Sequence, residues 1–261
     1  MTFELIRLRL DFRAEQALVF PAGKAGNVLR GALGTMLGEG LFAPRTTGGP
    51  SGLADPPRPF VFRAAHLDGV TVPPGADFHF DLHLFDLSEP VAQVFEDAFA
   101  QLARKGIGPG RGRAALVGAE KERVAIDLDA PGTPAGRVRV QFVTPTELKG
   151  GAPGERPEFP ILFARLRDRI STLRALYGPG PLDIDFRGMG ERAARVRLER
   201  SELRWTEAER RSSRTGQVHP LGGFTGEVEY TGELGEFLPY LGAGQWTGVG
   251  RQTVWGKGEI C

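Results

Sequence analysis

A chain of 261 residues with 41% hydrophobic and 25% charged side chains has the make-up of a soluble globular protein, either one large domain or two small ones. Lys and Arg number 33 against 32 Asp and Glu, a formal charge of +1, so a nucleic-acid surface has to be a local patch and not a global excess. The single cysteine, Cys261, excludes a disulfide framework and a cysteine-based zinc site, and no apolar run reaches membrane-spanning length; a cytoplasmic protein without membrane contact is expected.

Residues 3–12 place Ile6, Leu8, Leu10 and Phe12 in alternation with Arg7, Arg9 and Asp11, the period of a half-buried strand. A helix is predicted over 24–37, with Val28, Leu29, Ala32, Leu33, Met36 and Leu37 on one face. Its Gly26, Gly31 and Gly34 each cost about 1 kcal/mol against alanine, which makes sense if something packs closely on the helix. Residues 43–59 are rich in Gly, Pro, Ser and Thr and read as a loop. A strand is predicted over 60–67 and a stronger one over 77–85. The second alternates Phe78, Phe80, Leu82 and Leu84 with Asp77, His79, Asp81 and His83. Two His and two Asp on one strand face invite a metal, but i and i+2 side chains stand roughly 7 Å apart, so one strand cannot wrap an ion. A solvated sheet face is the simpler reading, and no metal or other cofactor is assigned. A helix over 89–105, a glycine-rich turn over 106–113 and a strand over 114–117 complete the first half.

Residues 127–136 carry Asp, Pro and Gly in the manner of a linker. The chain then begins again: Arg137-Val-Arg-Val-Gln-Phe repeats the pattern of Arg7-Leu-Arg-Leu-Asp-Phe. A helix over 159–177, a short segment over 181–186, a long strand over 192–205, a returning strand over 218–230 and a short helical piece over 234–241 follow. Each half thus runs strand, helix, strands, helix, glycine-rich motif, strand. The expectation is an α+β fold of tandem, duplicated ferredoxin-like domains, 1–126 and 137–261, with the sheet architecture that carries RNA in RNA-recognition (RRM-like) domains.

Residues 248–258, Gly-Val-Gly-Arg-Gln-Thr-Val-Trp-Gly-Lys-Gly, place two Gly-x-Gly units around a polar centre. Five residues between Gly250 and Gly256 and the absence of room for a following helix exclude a Walker loop and a dinucleotide fingerprint. Two readings stay open: a backbone approached by a phosphate-rich ligand, with Arg251 and Lys257 as cations, or a tight terminal hairpin whose glycines serve only the turn.

The two ferredoxin-like halves, the early Leu-Arg-Gly-Ala-Leu-Gly at 29–34 and the terminal Gly-x-Gly-x5-Gly-x-Gly loop together resemble the RAMP superfamily of CRISPR-associated proteins, nearest its repeat-processing endoribonucleases. The resemblance implies binding of precursor CRISPR RNA, or of the crRNA repeat, and one cut per repeat. That cut is independent of metal: the 2′-hydroxyl attacks the neighbouring phosphate, giving a 2′,3′-cyclic phosphate and a 5′-hydroxyl. It also implies subunits of a CRISPR effector complex as partners, in a monomer or homodimer. Many such proteins place a histidine on or near the first helix; residues 22–40 contain none, and Lys24 and Arg30 are the cations of that helix. A crRNA-binding subunit without catalysis, and an unrelated two-domain protein for a small anionic ligand, are the competing readings.

Among four histidines, His66, His79, His83 and His219, the last sits in a basic, glycine-punctuated tip with Arg210, Arg211 and Arg214. His219 is therefore the candidate general base and Lys24 the phosphate-stabilising cation. The candidate RNA contacts are Arg30, Arg210, Arg211, Arg214 and, in the glycine loop, Gly248, Gly250, Arg251, Gln252, Thr253, Gly256, Lys257 and Gly258. Burial of Arg251 or Lys257 is not expected. The helix over 159–177 flanks its apolar arc with Arg165 and Arg169 on one side and Arg167 and Arg174 on the other, as snorkelling side chains or as a basic ridge.

Overall fold

The computed structural model describes residues 1–34, 36, 56–130, 133–148, 156–207, 209–211 and 218–261. The first half contains β1 (Thr2–Ala14), β2 (Leu18–Val19), α1 (Ala25–Leu33), β3 (Phe60–Arg63), β4 (Thr71–Val72), β5 (Asp77–Leu84), α2 (Val91–Lys105) and β6 (Ala114–Asp127). The second contains β7 (Arg137–Thr146), α3 (Phe159–Tyr177), α4 (Phe186–Ala193), β8 (Arg197–Thr206), β9 (Glu209–Arg211), β10 (Val218–Pro220), β11 (Gly223–Thr231) and α5 (Leu238–Thr247).

Four strands of the first half form an antiparallel sheet in the order β3-β5-β1-β6. That is the strand order of a ferredoxin-like unit, with the first strand central and the last beside it. The second sheet runs β8-β11-β7, and residues 259–261 add a fourth, minimal strand. Phe142 bridges Ile260, and Gln141 and Cys261 exchange backbone bonds of 2.8 and 3.0 Å. The tandem ferredoxin-like architecture expected from the repeat is present.

The period of β1 explains its central place. Leu8, Leu10 and Phe12 are buried beneath α1 and α2, where Phe60, Phe62, Phe80, Phe95 and Phe99 build an aromatic core. Phe80 and Phe99 meet edge-on at 4.9 Å. The opposite face starts apolar, with Phe3 and Leu5. Those two residues, with Val61 and Phe85, enter the second core against Phe159, Phe163, Leu166 and Tyr230. Hydrophobic burial therefore welds the halves together at one end of the shared face. At its other end the face is polar: Arg7 and Arg13 pair across to Asp81 and Asp77 of β5 at 2.9 and 2.8 Å.

Three local expectations are corrected. The strand expected over 114–117 runs to Asp127, because its run 120–123 lies on a sheet edge where Arg7–Glu122 and Glu4–Arg123 pairs satisfy the charges. The short segment at 181–186 leads into α4, whose Gly188 and Gly190 disguise it; Asp185 caps it by accepting the Gly188 N–H at 2.9 Å. The long strand then starts at Arg197, not at 192. The loop expected at 43–59 lies mainly outside the described residues.

Candidate nucleic-acid interface

The glycine loop after α5 is folded against α1. Gly26 makes this possible: a β-carbon there would stand 2.7 Å from the Trp255 carbonyl oxygen. The expectation that a glycine of this helix admits a close neighbour is met at Gly26, whereas no described residue approaches Gly31. On the far side of the loop, Arg251 N–H donates to the Glu147 carbonyl at 2.9 Å and Gly258 N–H to the Pro145 carbonyl at 3.1 Å. Gly258 has φ +70°, and a side chain there would collide with the Val249 carbonyl. The loop is a clasp between the first helix of one half and the first strand of the other.

That role corrects part of the sequence reading. The N–H groups of Gly248, Val249, Arg251, Trp255, Gly256 and Gly258 are spent on protein carbonyls, so these six are not held out to a phosphate. Lys257 is buried, 3% exposed, and its Nζ donates to the Gly23 carbonyl at 2.8 Å. Burial lowers its pKa, opposed by Asp68. Thr253 is buried as well, while Gln252, at φ +62°, faces a cleft with Gly250. Arg251 is exposed, paired with Glu147 at 3.0 Å.

The cleft has a volume of about 460 Å³ and lies between α1, α3 and the loop. Among the described residues, Arg30, Arg58, Arg165 and Arg169 line it against a single carboxylate, Asp168. The Arg30 guanidinium stacks over the Trp255 ring at 5.2 Å. Arg165 and Arg169 reach the cleft together because they are one turn apart on α3. Arg165 Nε is buried without a hydrogen-bond partner among the described residues. Arg169 donates through Nε to the Thr247 carbonyl at 3.0 Å; burial and the nearby Arg63 lower its pKa to about 9, which leaves it charged at neutral pH. The other flank of α3 is structural. Arg167 stacks on Phe186 at 4.7 Å, and buried Arg174 binds the Thr2 and Gly180 carbonyls. Arg58 was absent from the sequence reading, and Arg165 and Arg169 entered it only as one edge of an alternative basic ridge; their i, i+4 spacing on α3 was the available signal.

Lys24 is exposed at the N-cap of α1. Asp68 accepts the N–H of Ala25 at 2.7 Å and also bonds the backbone of Lys24. His219 lies on β10, in register with Arg210 of β9, where Arg211 also stands; Arg214 lies outside the described residues. This hairpin continues from β8 and β11, and Phe224 at its base pairs with Thr146, the neighbour of the Glu147 that holds the loop. The basic tip therefore leaves the second sheet at the same end as the glycine loop. Among the described residues, no group of three or more His, Cys, Asp or Glu is arranged to hold a metal ion, and no helix is long and apolar enough to cross a membrane. The strand face at Asp77–Leu84 is solvated only in part, since His83 is buried against Trp246 of α5.

Residues 140–260 match the family model described as CRISPR-associated endoribonuclease Cas6, and residues 39–130 match one described as an N-terminal domain. The chain matches no curated protein in sequence. In structure it resembles a Cas6 product complex, with a TM-score of 0.62 at 17% identity over 99% of this chain and 98% of that one. Thermus thermophilus Cas6 gives 0.57 at 17% over 100% and 98%, and a Cas6 bound to a substrate mimic gives 0.57 at 22% over 99% and 98%. At such identities the structural likeness establishes the tandem fold. The match of residues 140–260 to the family model bears out the resemblance to repeat-processing endoribonucleases.

Proposed function

We propose that this Cas6-type endoribonuclease holds the repeat of precursor CRISPR RNA in the arginine cleft beside the junction of α1 and the glycine loop. It cuts the bound RNA without a metal, by attack of the 2′-hydroxyl on the adjacent phosphate, leaving a 2′,3′-cyclic phosphate and a 5′-hydroxyl. The observation that carries this reading is the charge of the cleft: among the described residues, four arginines face one aspartate in a chain whose net charge is only +1. Planar guanidinium groups suit phosphate oxygens and stack on bases, and Arg165 has a buried N–H to which such an oxygen would be an acceptor. Lys24 is the cation for the crowded phosphate, and the basic hairpin with Arg210, Arg211 and His219 extends the surface along the RNA. His219, the base expected from the sequence, lies on that same hairpin. Effector-complex subunits, as partners once the RNA is cut, belong to the same reading.

The test is incubation of the purified protein with repeat-containing RNA in EDTA. A single cut with cyclic-phosphate and 5′-hydroxyl ends is expected, abolished by a 2′-deoxy substitution at the cut site. Tight binding without a cut, or a cut that needs a divalent ion, would overturn the mechanism.

A further inference from the structure

The reaction asks for an acid at the leaving 5′-oxygen as well as a base at the 2′-oxygen, and α1 holds no histidine. The fold brings two histidines together elsewhere. His66 lies on the single 3-10 turn after β3 and His79 on β5. Their rings stack with centroids 4.6 Å apart and 25° between planes. The pair lines a cavity of about 650 Å³ on the polar face of the first sheet, closed from the second half by Val143 and Glu259. Asp68 lines the same cavity and holds the backbone of Lys24, so the exposed Lys24 stands beside its rim.

We propose that His66 and His79 are the acid–base pair that cuts the RNA, with Arg9 and Lys24 as its cations. The proposal rests on the reading of this chain as a metal-independent ribonuclease and assigns that reaction its proton carriers. His66 Nε2 lies 2.9 Å from the His79 carbonyl oxygen, which can only accept, so Nε2 carries a hydrogen and Nδ1 is left for the RNA. Burial, Arg9 and His66 all push the His79 pKa down, which keeps that ring neutral and able to take a proton. The 2′-hydroxyl gives its proton to His79 as the 2′-oxygen bonds to phosphorus. The bond from phosphorus to the 5′-oxygen breaks, and that oxygen takes a proton from the imidazolium of His66. One proton is accepted and one donated, with no metal, oxidant or reductant.

The carboxylates of the cavity are offset. Asp81 pairs with Arg7 at 2.9 Å, Glu259 faces Arg63, and Asp68 caps α1 beside Lys257, while Asp11, outside the lining, pairs with Arg9 at 3.2 Å. These are the charged groups against which the pair titrates. The experiment is single-turnover cleavage of repeat RNA in EDTA across pH by the wild type, His66→Ala, His79→Ala and the milder His66→Asn and His79→Asn, with RNA affinity and thermal midpoint measured alongside. The wild-type rate should be bell-shaped in pH. Each alanine variant should lose about 10² to 10⁴-fold with affinity kept. His79→Ala should lose the acid limb, and added imidazole should restore part of the rate in either alanine variant. Wild-type rates in folded variants of both positions would overturn the proposal while leaving the ribonuclease reading intact, as would a loss confined to His219→Ala. A wild type that binds and never cuts removes the ribonuclease mechanism and the pair together.

Discussion

His83 Nδ1 lies 2.8 Å from the carbonyl oxygen of Trp246 and joins a strand of the first sheet to the last turn of α5. Arg63 Nη2 reaches the Gln245 and Trp246 carbonyls at 2.8 and 3.1 Å, and Arg169 takes that of Thr247. The last turn of α5 has no basic residue of its own, so β3, β5 and α3 supply the donors for its open carbonyls. Burial and Arg63 lower the His83 pKa to about 3. The unfolded chain, with an ordinary pKa of about 6.5, then binds more protons between those values. The stability from this contact is complete above about pH 6.5 and is lost toward about pH 3, at up to about 1.4 kcal/mol per pH unit. Urea unfolding of the wild type and His83→Gln should show a gap that narrows in acid, since glutamine still donates but takes up no proton. A gap that does not change with pH would contradict this.

Lys257 and Arg251 share one loop and should respond oppositely. Lys257→Ala removes a buried donor and leaves the Gly23 carbonyl without it, a loss of about 1–3 kcal/mol in unfolding free energy. Arg251→Ala breaks only an exposed pair with Glu147, within about 0.5 kcal/mol of neutral, and should instead weaken RNA binding. Its salt slope should flatten by about 0.7, one phosphate contact to single-stranded RNA. Equal thermal midpoints for the two variants would refute the assignment.

Gly26 and Gly31 offer a second contrast within α1. Gly26→Ala would press a methyl group onto the Trp255 backbone and should destabilise by about 1–3 kcal/mol. Gly31→Ala meets nothing within 4 Å and should gain up to about 1 kcal/mol of helix propensity. Thermal unfolding of both variants measures the difference; a Gly26→Ala protein as stable as the wild type would mean that the loop does not rest on the helix.

What the sequence made legible is what period and local spacing encode. Alternation located β1 and β5, the apolar arc located α3, and the return of the Arg-x-Arg-x-x-Phe pattern exposed the duplication. What stayed hidden depends on distant partners. Lys257 looked exposed between glycines, yet its acceptor is 234 residues away. The run of charges ended the strand expected over 114–117 too early, because its ion-pair partners are on β1 and α2. Arg58 meets Arg165 and Arg169 only in the folded chain, and the stacking of His66 on His79 needs the turn after β3 to fold over β5. Two local signals were there to be used: the cap at Asp185 and the i, i+4 arginine pair on α3.

Arg165 allows the sharpest test of the arginine cleft. Its Nε is buried without a partner among the described residues, so truncation should leave stability unchanged or slightly raised, unlike the loss of a satisfied core group. If an RNA phosphate is the acceptor, Arg165→Ala should weaken binding by about tenfold, the worth of one charge-assisted hydrogen bond. The salt slope should flatten by about 0.7 at the same time. Arg165→Lys restores the charge but not the planar fork, so it should recover the slope and only part of the affinity. Filter binding of uncleavable 2′-deoxy repeat RNA over a salt series separates charge from geometry. Full affinity in Arg165→Ala would place the RNA outside this cleft.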